Sequence, residues 1–242
     1  MAVTTGAVTT LSMFRQVFSS RHVVLPVIHV ESLEQAQRNV QVSRDAGADG
    51  VFLINHGMPD RSLLAIHETV ADAHPEWWVG VNCLGLMPEQ VFREVSPKVS
   101  GVWVDNAGIV EDRDTQEYAE RVLASRQACA PDCLYFGGVA FKYQRHVDDL
   151  EAAGRIAARY MDVVTTSGVG TGEAAAEEKI RRLKAALGEA PLAIASGVTP
   201  DNVTHYLPFA EALLVATGIS RSFTELDPGL VQALIRRVRA HE

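Results

Sequence analysis

Cysteine is scarce in this chain. Cys83, Cys129 and Cys133 leave an odd thiol and show no metal-finger spacing. Cys129-x3-Cys133 could form a ligand pair but reads first as ordinary core or loop thiols, which suits a reduced, cytoplasmic protein. Long apolar runs are missing too: none reaches the roughly 18 residues of a membrane span, so no membrane insertion is expected. The opening "MAVTTGAVTT" lacks the basic start and apolar core of a secretory signal. There is no clustered basic stripe, and the net charge is -8. Nucleic acid and anionic membrane surfaces are therefore not expected partners, whereas a small anion needs only a local cradle. No low-complexity tract suggests disorder. Lysine is rare beside arginine: Lys98, Lys142, Lys179 and Lys184 are all there are.

What is present is a repeated unit. The chain has 242 residues and is 47% hydrophobic, enough for one large core. Apolar, β-branched runs fall at 23–30, 50–54, 77–81, 101–104, 134–141, 161–165, 191–195 and 212–216. They are short and nearly continuous, as in parallel strands covered on both faces. Stretches with helical spacing lie between them. Ala176, Ile180, Leu183 and Leu187 mark one face, and Leu230, Leu234 and Val238 another. Thr199 followed by Pro200 reads as a helix start.

Eight strand–helix units at about 27 residues each predict a single (β/α)8 barrel, a TIM barrel, spanning 21–242. A doubly wound open sheet would need a glycine-rich turn after the first strand, but "ESLEQAQ" contains no glycine. Residues 1–20 are expected as an N-terminal helical extension. Met13, Phe14, Val17 and Phe18 would plug the barrel bottom, with Trp77 and Trp78 packing at the same end.

In such a barrel chemistry sits at the C-terminal ends of the strands. Those ends carry His29, Asn55 with His56, Asn82, Asp105 with Asn106, Lys142, and Thr165-Thr166-Ser167 before "GVGTG". Any one of these is an ordinary turn residue. A ring of them above an apolar barrel is how a small-molecule site is built. After strands seven and eight the chain repeats a small-residue turn. Ser196, Gly197 and Val198, with Thr217, Gly218 and Ile219, are predicted to cradle a phosphate. Glycine admits backbone N–H groups to the anion, and a following helix N-terminus supports its charge.

Asp105 is the best-placed carboxylate for acid–base work; Glu111 and Asp114 are expected further out, on a solvated helix start. Lys142 could form a Schiff base or hold an anionic group. Asn82 and Asn55 fit an orienting role, because amides do not titrate. His29, His56 and Thr166 are further site-lining candidates. "GVGTG" lacks a nucleotide fingerprint and is expected to be a mobile loop closing over ligand.

The segment from "MDVVTTSGVGTGEAAAEEKI" through "PLAIASGVTPDNVTHYLPFAEALLVATGIS" resembles the C-terminal half of the BtpA family of predicted TIM-barrel proteins. "LPVIHV", "GVNCLG" and "FKYQ" extend the resemblance over about 25–220. Two departures stand out: "ESLEQAQ" replaces a proline-rich loop, and Tyr143 replaces a histidine. The family implies phosphoribosyltransferase-like or nucleosidase-like activity. "SGVTPDNV" is also similar to the turn of ribulose-phosphate-binding barrels, which implies a phosphosugar ligand.

These readings lead to an enzyme acting on a small phosphorylated metabolite by isomerase, lyase or glycosyl-transfer chemistry. Asp105, Lys142 and Asn82 would be catalytic, with no cofactor and no metal. A homo-oligomer is left open. Two rivals are a non-catalytic assembly factor using the barrel surface and a metal-dependent hydrolase built on His29, His56 and Asp105.

Overall fold

Eight short apolar segments pair side by side into a closed ring of parallel strands in the computed structural model, which describes residues 12–242. The strands are β1 (Val23–Val30), β2 (Gly50–Asn55), β3 (Trp78–Asn82) and β4 (Gly101–Val104), followed by β5 (Leu134–Gly138), β6 (Val163–Thr166), β7 (Leu192–Ala195) and β8 (Ala212–Val215). The ring closes where β1 pairs with β8, from Val23 opposite Ala212 to Pro26 opposite Val215. The chain is a (β/α)8 barrel.

Helices α2 (Leu33–Asp45), α3 (Asp60–Ala73), α4 (Pro88–Glu94), α5 (Glu117–Cys129), α6 (Leu150–Ala157), α7 (Glu177–Leu187) and α8 (Pro228–Arg239) follow every strand except β7. There the expected helix at Thr199-Pro200 shrinks to a single 3₁₀ turn, Val203–His205. Thr199 Oγ1 does accept from the Asp201 and Asn202 amides as a cap would. Pro208 arrives too soon for an α-helix, and Tyr206 pins the segment through its hydroxyl to Ala175 O at 3.0 Å. The predicted helix faces are also trimmed. Ile180, Leu183 and Leu187 are buried, but Ala176 precedes α7 and is exposed. On α8 the buried face is Val231, Leu234, Ile235 and Val238, with Leu230 turned outward.

Two apolar layers form. One lies between strands and helices; the other fills the barrel with Leu25, Phe52, Trp78, Trp103, Phe136 and Leu214. Phe52 meets Trp78 and Phe136 edge-on, at 4.9 and 5.2 Å between ring centroids. Gly80 makes the room: a Cβ there would sit 2.5 Å from the Phe52 ring. From below, the short helix α1 (Met13–Val17) buries Phe14, and Phe18 packs on Trp78 at 5.5 Å. Val17 stays exposed, and the part of the expected extension before residue 12 lies outside the described residues.

Because side chains alternate along a strand, the interior positions fix what rises at the top. Leu25 and Val27 lead to His29, Phe52 and Ile54 to His56, Gly80 to Asn82, Trp103 to Asp105, and Val163 to Thr165. Asn55 and Thr166 have the opposite parity and face the helix layer.

Candidate functional site

The inward-facing strand ends converge on one electrostatic cluster. Asn82 Nδ2 donates to Asp105 Oδ1 at 3.0 Å. Burial raises the Asp105 pKa above the usual carboxylate value, against the opposing effects of this bond, Lys142 and His56. The His29 and His56 rings lie 4.7 Å apart. Burial, then the neighbouring His56 and Lys142, push His29 down to about 4, so it is neutral near pH 7. Burial also lowers His56, although Asp105 pulls the other way. Lys142 thus acts on Asp105, His56 and His29 alike, and His56 links Asp105 to His29.

Lys142 sits in a constrained turn. Strand β5 ends three residues earlier than predicted, because Ala140 (φ 48°) leaves the extended region. Tyr143 (φ 60°) does the same on the other side of Phe141-Lys142. Left-handed backbone at non-glycine residues costs on the order of 1 kcal/mol each and collects where function needs it. The Lys142 amide donates to Ser167 Oγ at 2.8 Å, and Gln144 Nε2 donates to Asp105 O at 3.0 Å, tying this turn to β6 and β4. Beyond it, Glu111 is not on a solvated helix start as expected. Its carboxylate is nearly enclosed, bound by Arg145 and by the Asp148 amide at 2.9 Å, and Arg145 holds it well below the usual range. Helix α5 begins only at Glu117, so Asp114 lies in the loop before it.

Two sequence candidates do not join the cluster. Asn55 Nδ2 bonds Met58 O and Asp60 Oδ1 at 2.8 and 3.0 Å, while its Oδ1 accepts from the Leu84 amide. Thr166 Oγ1 donates to Ala140 O. Both are buried and committed to loop structure. The residue that completes the mouth was missed in the sequence: Phe223, from the loop after β8, stands edge-on to His29 and His56 with ring centroids at 4.2 and 5.2 Å. It is 60% exposed and lines a cavity of about 420 Å³ with His29, His56 and Met58.

The two small-residue turns lie against each other. A Cβ on Gly218 would fall 1.9 Å from Val198 O, and one on Gly197 (φ 69°) 2.2 Å from Glu173 O. Among the described residues, the amides of Gly197, Val198, Thr217 and Gly218 have no hydrogen-bond acceptor. Ile219 N donates to Ala216 O at 3.0 Å within a 3₁₀ turn, Thr217–Ile219, so it is already satisfied. No α-helix N-terminus stands behind either turn. The Ser196 hydroxyl is engaged as well, donating to Gly170 O and accepting from Gly172 N, both at 3.0 Å. With Tyr143 OH accepting from Thr171 N at 3.1 Å, these bonds pin the "GVGTG" loop to the two loops beside it, after β5 and after β7.

A cavity of about 710 Å³ opens at the opposite end among Trp77, Pro97 and Cys129. Among the described residues, no three His, Cys, Asp or Glu side chains converge into a metal-binding group, which leaves the metal-dependent reading without a ligand set. None of the described helices is long and apolar enough to cross a membrane.

The chain is therefore a (β/α)8 barrel with a polar cluster and two glycine turns at its C-terminal mouth. No family model and no curated protein sequence matches it. Solved structures do. Phosphoribosyl anthranilate isomerase from Thermus thermophilus is 18% identical, with TM-score 0.62 over 91% of this chain and 100% of the other. A tryptophan synthase structure from M. tuberculosis is 15% identical, with TM-score 0.70 over 95% and 100%. The (S)-3-O-geranylgeranylglyceryl phosphate synthase from Thermoplasma acidophilum, in complex with sn-glycerol-1-phosphate, is 15% identical, with TM-score 0.65 over 94% and 97%. At such identities the likeness concerns the fold.

Proposed function

We propose that this chain is a cytoplasmic, BtpA-like enzyme acting on a small phosphorylated metabolite of the sugar-phosphate class. The observation that carries the reading is the pair of abutting turns, whose four unpaired amides share the barrel mouth with Asp105 and Lys142. Backbone N–H groups gathered at glycine turns suit a phosphate dianion. Two of these fold relatives were solved with phosphorylated ligands, a phosphoribosyl anthranilate isomerase with a reduced deoxyribulose 5-phosphate derivative and the geranylgeranylglyceryl phosphate synthase with sn-glycerol-1-phosphate.

In this reading Asp105 is the general acid or base. Its raised pKa moves it toward neutral pH, where a proton carrier is most effective, and Asn82 fixes the carboxyl by holding one oxygen. Lys142 supplies a cation beside the reacting carbon, or an amine that condenses with a substrate carbonyl and releases water. Phe223 covers the opening from the side of β8.

The test is a thermal-shift screen of sugar phosphates, since a ligand bound only by the folded state raises the melting temperature. A stabilising ligand should be turned over by the wild-type protein and only bound by Asp105→Asn. Borohydride in its presence should fix a covalent adduct at Lys142 if the carbonyl route is used. If Asp105→Ala and Lys142→Ala preserve the biological activity, the barrel is an assembly factor instead.

A further inference from the structure

Beside the central cluster, and sharing Lys142 with it, the turn after β5 and helix α7 enclose a cavity of about 620 Å³. Two of the chain's rare lysines line it. Lys179 reaches out of α7 and donates to Ala140 O at 2.5 Å and to Ser167 O at 2.7 Å. Both acceptors are neutral carbonyls, and among the described residues no carboxylate pairs with this ammonium. Lys142 Nζ has no hydrogen-bond or ion-pair partner there either; it stands 5.6 Å from the Phe141 ring centroid and interacts with Asp105 only through their charges.

The other charges around the cavity balance. Arg145 is taken by Glu111, and Arg182 by Glu151 through two bonds of 2.6 and 2.7 Å. Glu178 is turned to Arg181. Asp148 is almost fully exposed, 3.7 Å from His146. What remains is two ammonium groups, one from each element enclosing the cavity, with no carboxylate in ion-pair contact; only Asp105 acts on Lys142, from beyond contact distance. Removing an ammonium from water without an opposite charge is costly even where carbonyls accept its protons, and burial lowers Lys179 to about 8. A protein that gains nothing from such an arrangement would place a carboxylate or a neutral side chain there.

We propose that the cavity between the β5–α6 loop and α7 is a second oxyanion site, with Lys142 and Lys179 as its ligands. It would receive a carboxylate or phosphate group of a small molecule. The site stands independently of the glycine turns. Taken with the proposed function, on which this narrowing rests, it confines the substrate to a metabolite anionic at two places.

The rarity of lysine supplies the experiment. Protein carrying ¹³Cε-lysine gives one resonance for each of Lys98, Lys142, Lys179 and Lys184, assigned by single substitutions; ¹⁵N-glycine reports on Gly197 and Gly218 in the same sample. Inorganic phosphate and malonate are titrated at constant ionic strength. The Lys142 and Lys179 signals should shift together and saturate, while Lys98 and Lys184 stay in place. In Lys179→Gln the response of Lys142 should weaken about fivefold or more. Should that variant not fold, Lys142→Gln in its partly exposed turn serves equally, read at Lys179. If all four lysines move alike, or neither cavity lysine moves, the site does not exist. Movement of the two glycine amides without the lysines leaves the phosphate turns standing and overturns this inference; the reverse result supports this site and removes the turns.

Discussion

Asn82 donates to Asp105 from the adjacent strand at 3.0 Å, and both residues rise from interior positions of the barrel. The bond favours the ionised carboxyl, whereas burial favours the protonated one and wins. Removing the amide donor in Asn82→Leu should therefore raise the Asp105 pKa further. A carboxyl-carbon NMR titration of Asp105 would show it, and an unchanged or lowered value would contradict the assignment.

His29 couples the site to acid stability. Its folded pKa, about 4, lies below the ordinary histidine value of 6.5, so the unfolded chain binds a proton more readily. The neutral ring's contribution is complete above pH 6.5 and is lost as the pH falls toward 4. His67, fully buried with Nε2 on Val79 O at 3.0 Å, acts in the same direction. Urea midpoints should fall through this window. His29→Gln should reduce the slope by close to one proton, and an unchanged slope would count against a buried neutral His29.

The thiols should separate cleanly. Burial pushes Cys83 and Cys133 to about 12, while Cys129 is exposed at the end of α5. A thiol reagent at pH 8 should label one cysteine quickly in the native protein and all three after denaturation. Rapid labelling of Cys83, next to Asn82, would mean that the mouth opens far more than this structure shows.

Much of the fold was legible because parallel strands buried on both faces leave continuous apolar runs, and seven of the eight runs matched their strands to within two residues. The remaining run, the fifth, went past Gly138, where apolar Val139 and Phe141 continue although Ala140 turns out of the sheet. The helix expected after β7 was misread because Thr199-Pro200 is a start signal that cannot count the residues left before Pro208. Within the site, period-two alternation selects His56 over Asn55 and Thr165 over Thr166; naming strand ends without parity mixed the two faces. Phe223 and Lys179 were less visible. One is an aromatic in a polar loop, the other a lysine on an otherwise charged helix, and only tertiary contact distinguishes either from a solvated side chain.

The central claim is that two strand-end turns aim free amides at one bound phosphate. Isothermal titration of a stabilising sugar phosphate into wild type and Gly218→Val tests it most directly. The added side chain would collide with Val198 O, 1.9 Å from its Cβ, and part the two turns. With circular dichroism confirming an intact barrel, affinity should drop at least about tenfold, equal to roughly 1.4 kcal/mol. Equal affinity in the two proteins would place the phosphate elsewhere.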